Sequence, residues 1–240
     1  TDHIVNAADH ADGVEISGTG TAGATGTVTI GDVVKDISIG EDGTWTATFS
    51  TAEIATGEYT QEVVVTVSND GGSASATDNL IVDTVAEVTI NTSIVGSDGT
   101  LNFDEESGGF VVTGTTQEGS SVVVTFGGVD HAATVSGGNW SLNVDAGVIA
   151  QGEYSLDMSA VATDSFGNTA TTSGSVIVDT VTDVTVDTAS IASDATGDNV
   201  INSVERDGGL TLDGTAEAGA TVDVTFNGVT MTTTANSSGE

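Results

Sequence analysis

The chain has 240 residues, no cysteine and no proline, and sets 36 acidic side chains against two basic ones, Lys35 and Arg206, for a formal charge of −34. Disulfides, zinc–thiolate sites and thiol catalysis are excluded. So negative a surface repels nucleic acid and anionic membranes, and it attracts divalent cations. Mean hydropathy is slightly positive and apolar residues alternate in clean blocks, which argues for an ordered chain despite the charge. No apolar run approaches the ~18 residues of a membrane helix, so no membrane insertion is expected in this segment.

Residues 1 to 84 read as a first repeat that lacks its opening strand. Val14 and Ile16 share one face, and Val28 and Ile30 alternate with Thr27 and Thr29, as in a half-buried strand. A turn at Glu41-Asp-Gly43 leads to Trp45, Ala47 and Phe49, and Tyr59 opens a run with Val63, Val65 and Val67 on one side. Asn69-Asp-Gly-Gly72 is a hairpin signal, because Gly accepts positive φ. A last strand ends at Ile81-Val-Asp83-Thr84.

Residues 85 to 180 replay this order as a complete second repeat. Val88 and Ile90 begin it, Phe110 and Val112 follow, and Val122, Val124 and Phe126 alternate. Trp140, Leu142 and Val144 match Trp45, Ala47 and Phe49, and Gly152-Glu-Tyr154 matches Gly57-Glu-Tyr59. Asp164-Ser-Phe-Gly167-Asn168 takes the hairpin position, and Ile177-Val-Asp179-Thr180 closes the repeat. Residues 181 to 240 form a partial third repeat with Gly214-Thr215 and Val222, Val224 and Phe226, but without the Trp strand. Short alternating strands between Gly, Asp and Asn turns, with no helical period, predict an all-β chain of tandem antiparallel β-sandwiches in a linear array. The large rings belong to the cores.

One acidic stretch recurs near the start of each repeat, in the pattern Asp-x-x-x-Asn-x-x-acid: Asp2/Asn6/Asp9, Asp98/Asn102/Glu105 and Asp198/Asn202/Glu205. Together with Val-Asp-Thr at the boundaries, Gly-Thr, Trp-Thr or Trp-Ser, and Asp-x-x-Gly-Asn, it resembles the bacterial Ig-like repeats of giant calcium-dependent surface adhesins, of the RTX and biofilm-associated type. The resemblance covers essentially the whole chain and implies an extender region at the bacterial cell surface or secreted from the cell. The family often has Pro just after the boundary Asp-Thr, where this chain has none and Glu87 and Asp183 stand nearby.

Calcium takes six to eight oxygen ligands, and oxygen is all that these stretches offer. In a sandwich the acidic stretch lies at the exit pole of its repeat, with the closing Asp83 or Asp179. The turns before the third and last strands face the previous repeat. Asp2, Asn6, Asp9 and Asp83 can therefore converge with Glu87 and with Glu118 or Asp164. Asp98, Asn102, Glu105 and Asp179 can converge with Asp183 and Glu217, while Asp198, Asn202 and Glu205 await a further repeat. The bland alternative is a capped helical turn in a solvated loop, and Asp164 and Asn168 also suit a hairpin.

No nucleophile elbow, metalloprotease His spacing or phosphate-binding loop is present, so no enzymatic role is expected. EF-hand loops and glycine-rich nonapeptides are also absent, which makes the expected Ca2+ sites junctional. The expected partners are neighbouring repeats of the same chain, and the expected role is a spacer. Direct binding of a glycan or protein, or an accessory array on a secreted hydrolase, are the alternatives. A binding repeat would carry an unmatched insertion or an exposed aromatic cluster, and none is visible.

Overall fold

The computed structural model describes residues 3–187 and 200–240. The chain forms two compact units, Thr1–Ala150 with Tyr154–Val178, and Gln151–Glu153 with Asp179–Glu240.

The first unit contains two sandwiches. In the first, the strands are β1 (Ile4–Val5), β2 (Val14–Thr19), β3 (Thr25–Ile30), β4 (Val33–Ser38), β5 (Thr44–Phe49), β6 (Glu58–Asn69) and β7 (Gly72–Asp83). One sheet runs β1-β7-β6-β3-β4 and the other is the pair β2-β5. All pairings are antiparallel except β1 with β7, which is parallel, with Ile4 opposite Ile81. The second sandwich follows with β8 (Thr100–Asn102), β9 (Phe110–Thr115), β10 (Ser121–Phe126), β11 (Val129–Ala132), β12 (Thr134–Ser136), β13 (Asn139–Val144), β14 (Glu153–Thr163) and β15 (Thr169–Asp179). Its sheets are β11-β10-β14-β15-β8 and β12-β13-β9. The period-2 patterns place Val28, Phe49 and Val82 in one core and Val112, Val124, Trp140 and Val178 in the other, all essentially inaccessible.

Two devices recur at matching places. Tyr59 and Tyr154 each donate their hydroxyl to a carbonyl four residues earlier, Ala55 and Ala150, at 2.7 Å. The boundary Val-Asp-Thr ends each sandwich through its Thr. The Thr84 hydroxyl accepts from Gly57 N at 2.8 Å while Thr84 N donates to Gly57 O at 3.0 Å. Thr180 does the same with Gly152, at 2.8 and 3.1 Å.

In the second sandwich, residues 88–91 lie along the free edge of β9, through bridges from Val88 to Thr116 and from Asn91 to Thr113. The fit is close. A Cβ on Gly114 would stand 2.0 Å from Thr89 O, and the Trp140 indole N–H donates to that same oxygen at 2.9 Å.

The second unit holds β16 (Val184–Asp187), β17 (Asp213–Ala216), β18 (Thr221–Phe226) and β19 (Val229–Thr234), paired as β16-β17 and β18-β19. Its apolar face is open: Phe226 is 49% exposed where its counterpart Phe126 is 4%. Among the described residues, β18 pairs with β19 alone, whereas its counterpart β10 pairs with both β11 and β14.

Gly114→Ala is expected to displace residues 88–91, because a backbone oxygen cannot yield as a flexible side-chain tip can. Faster amide exchange at Thr89 and Asn91, with β10 and β14 protection retained, checks this.

Candidate functional site

Each acidic stretch opens a one-turn helix. These are α1 (Ala7–Asp12), α2 (Phe103–Gly108) and α3 (Ser203–Gly208), with Asn6, Asn102 and Asn202 as N-caps. The cap Oδ1 accepts from the amide three residues on, at 2.9 Å for Asp9, 3.0 Å for Glu105 and 3.1 Å for Glu205. The acid at that position returns the bond to the cap amide, completing a reciprocal box. Asp98 Oδ1 accepts from Thr100 N at 2.8 Å. The Asn and acid of each stretch are thus first helix-capping groups, as the bland reading had it. Asp2 and Asp198 lie outside the described residues.

The hairpin Asp164–Asn168 of the second sandwich meets α1 and Asp83 of the first. Asn168 is 4% exposed, and its amide uses both ends. Its Oδ1 accepts from Ala7 N, the first amide of α1, at 2.7 Å. Its Nδ2 donates to Asp83 O at 2.9 Å, Asp83 Oδ1 at 3.1 Å and Asp164 Oδ2 at 2.7 Å. Asn6 Nδ2 adds a bond to Phe166 O at 3.2 Å. Asp164 also shapes its own turn, with Oδ1 accepting from Phe166 N and Asn168 N at 2.8 and 2.9 Å.

Asp83 and Asp164 are thereby held together. Burial, then the Asp164 charge, raise the Asp83 pKa above the usual carboxylate value, against a lowering by the Val85 amide. The only Lys or Arg of this unit, Lys35, pairs with Glu53 at 2.6 Å instead. More oxygen lies at the same end of the second sandwich. Ser121 pairs with Thr163, so Ser120 falls beside Asp164. Ser120 is 7% exposed, and both its Oγ and the Gln117 Oε1 are buried without a hydrogen-bond partner among the described residues. The Gln117–Ser120 turn is closed by Ser120 N to Gln117 O at 3.2 Å, and the Thr116 hydroxyl donates to Glu87 O at 2.9 Å. Two carboxylates with orphaned amide and hydroxyl oxygens suit a hard cation. Among the described residues, no three acidic or histidine side chains gather as a ligand group, so any ion held here would need neutral oxygens as well.

The other expected ligands are more scattered. Glu87 and Glu118 are exposed. At that turn the inward oxygen belongs to Gln117, which sequence reasoning passed over although it aligns with Glu217. Glu217 itself accepts from the Thr182 hydroxyl at 3.3 Å. Asp98, Asn102 and Glu105 belong to the first unit, and Asp179, Asp183, Asn202, Glu205 and Glu217 to the second. Asp183 is exposed, Asp179 half-buried and Glu205 6% exposed. Glu106, also unforeseen, is 4% exposed and accepts from Gly147 N at 2.6 Å.

No protein-family model and no curated protein matches the chain. Solved structures do. A 1.5-MDa bacterial ice-binding adhesin, described for its retention at the host cell surface, is 28% identical over 99% of this chain and 81% of its own, with a TM-score of 0.51. The chain resembles large bacterial adhesins. A Ca2+-stabilized adhesin with which an Antarctic bacterium binds ice is 31% identical over 100% of this chain, with a TM-score of 0.45. The present chain spans 62% of that structure's length. A tetra-tandem repeat from the extending region of a large adhesion protein is 21% identical over 98% of this chain and 63% of its own, with a TM-score of 0.34.

The raised Asp83 pKa fixes a pH dependence. The folded chain keeps this proton to higher pH than the unfolded chain does. The contribution of Asp83 to stability therefore falls as pH rises from the unfolded carboxylate value through the folded one, and its loss is complete at neutral pH, opposite in sign to that of Glu53, whose pKa is lowered to about 2. Asp83→Asn, which keeps an oxygen for Asn168 Nδ2, is expected to raise the melting temperature at pH 7 in chelator and to flatten that fall. Melts across pH 3 to 7 check both.

Proposed function

We propose that the chain is a spacer segment of a bacterial surface or secreted adhesin, built of three repeats at 1–84, 85–180 and 181–240, and stiffened by Ca2+ where repeats meet. The observation that carries this is the Asp83–Asp164 pair, held by Asn168 beside the unpartnered oxygens of Gln117 and Ser120. Two adjacent carboxylates with no base between them repel, and a dication reverses the sign of that interaction.

At this junction Asp83, Asp164, Gln117 and Ser120 would supply oxygen ligands, with backbone carbonyls and water completing the shell. Asn6, Asp9 and Glu87 stand close in sequence or structure and serve as further ligands or as the frame that fixes the others. The bound ion contributes charge neutralisation and a cross-link. The protein contributes pre-organisation, because the Asn168 clamp sets the two carboxylates side by side before any ion arrives. In the second unit, Asp179, Asp183 and Glu217 are the groups that match Asp83, Glu87 and Gln117, while Asn202 and Glu205 belong to a further junction. The high acidity serves this role too, since it keeps such an array soluble and draws in divalent cations. The likeness to a large ice-binding adhesin supports the reading at the level of an adhesin module.

Calcium at a hundred times its Kd is expected to add about 2.7 kcal/mol to unfolding of the native chain, seen as a higher melting temperature than in chelator. Asp83→Asn with Asp164→Asn should abolish that increment. Small-angle scattering in the same two buffers should give a narrower range of dimensions with calcium. Identical profiles would remove the stiffening role.

A further inference from the structure

The cap helices bury no apolar side chain of their own. In α1 every residue but His10 is exposed, and in α2 the one buried residue is Glu106. A surface helix ordinarily holds to its domain by an apolar stripe. Here one polar side chain stands in that place. His10 and Glu106 occupy the same position, four residues after the capping Asn6 and Asn102.

Both side chains reach the same turn of their sandwich, the one after the Trp strand. His10 Nε2 donates to Ile54 O at 2.8 Å, and because the acceptor is a carbonyl this nitrogen carries the proton. Glu106 Oε1 accepts from Gly147 N at 2.6 Å. The polarity is reversed between the two. A donor meets a carbonyl in the first sandwich, and an acceptor meets an amide in the second. The residue type changes and the bond from helix to turn stays, which points to a demand on the position itself.

The turn that His10 grips is itself braced. Ser50 N and Oγ each donate to Glu53 Oε2 at 2.8 Å, and Glu53 Oε1 pairs with Lys35 of β4 at 2.6 Å. The other end of α1 belongs to the junction. Ala7 N donates to Asn168 Oδ1 at 2.7 Å, and Asn6 Nδ2 donates to Phe166 O at 3.2 Å. So α1 is a short strut between two sandwiches, gripped by Asn168 from one side and by His10 from the other. A clamp closed on a loosely held helix would fix the second sandwich to that helix alone.

We infer that His10 is a positioning residue for the junction: it ties α1 to the body of the first sandwich, so that the grip of Asn168 on Ala7 N is transmitted to that body. Glu106 holds α2 to the second sandwich in the same way. The inference rests on the reading of this junction as the stiff joint of a spacer, and adds a device that works without an ion. His10 touches neither the clamp nor the carboxylate pair, so it acts through α1.

The test is made on the full-length chain in chelator, with His10→Ala and with His10→Gln, which keeps a side-chain donor. Amide exchange at Ala7 should rise about fivefold in His10→Ala, as for the loss of one hydrogen bond, with the Val28 and Val124 amides unchanged. Backbone 15N relaxation should show the first and second sandwiches tumbling less in step. His10→Gln should restore both readouts towards the native values. Glu106→Ala, on a helix outside this junction, should leave Ala7 at its native rate. Unchanged exchange at Ala7 in His10→Ala overturns the proposal. So does an equal effect of Gln and Ala, a rise that extends to Val28, or the same rise in Glu106→Ala. No ion takes part, so a chain that calcium fails to stiffen would sink the proposed function and leave this result standing.

Discussion

One buried amide makes most of the hydrogen bonds by which the two sandwiches of the first unit meet. Asn168 caps a helix of one sandwich with its oxygen and binds two carboxylates with its nitrogen. Nearly buried, it has no water to fall back on, so each of those bonds is made within the protein or lost. The price of its geometry is two acids at close quarters, one of them with a raised pKa. Clamp and charge problem are one construction.

That construction explains how a chain of formal charge −34 can meet itself end to end. Direct hydrogen bonds from backbone amides and an Asn side chain fix the meeting, and they carry no charge of their own. What they leave is a local excess of oxygen. A cation is therefore suited to strengthen a contact that already exists, in place of creating it from a loose hinge.

The architecture was legible because it rests on short-range rules. Alternation found the strands, Gly and Asn marked the turns, and the matched Trp45 and Trp140 fixed the repeat. The site was legible only in part. Asn6, Asn102 and Asn202 were noticed for their oxygen, but their first use is helix capping, which the same spacing encodes. Asp83 and Asp164 were named as partners, and the structure brings them together. Gln117 escaped because an uncharged side chain beside Glu118 draws no notice, although Glu217 at the matching place in the next repeat was a usable signal. Glu106 escaped because burial of an acid depends on a loop, Gly147, far away in sequence. The clamp by Asn168 could not be read at all, since it joins residues more than 80 positions apart.

One pairing in the first sandwich runs against the rest. β1 lies parallel to β7, near opposite ends of that sandwich's sequence, with Ile81 N bonded to His3 O at 2.9 Å. Tension applied along the polypeptide would pull these neighbours in opposite directions, along their own length. Their bonds then resist in concert, by sliding, where an antiparallel hairpin pulled from its open end would peel one rung at a time. A tether exposed to flow would gain from having its weakest-looking strand mounted this way.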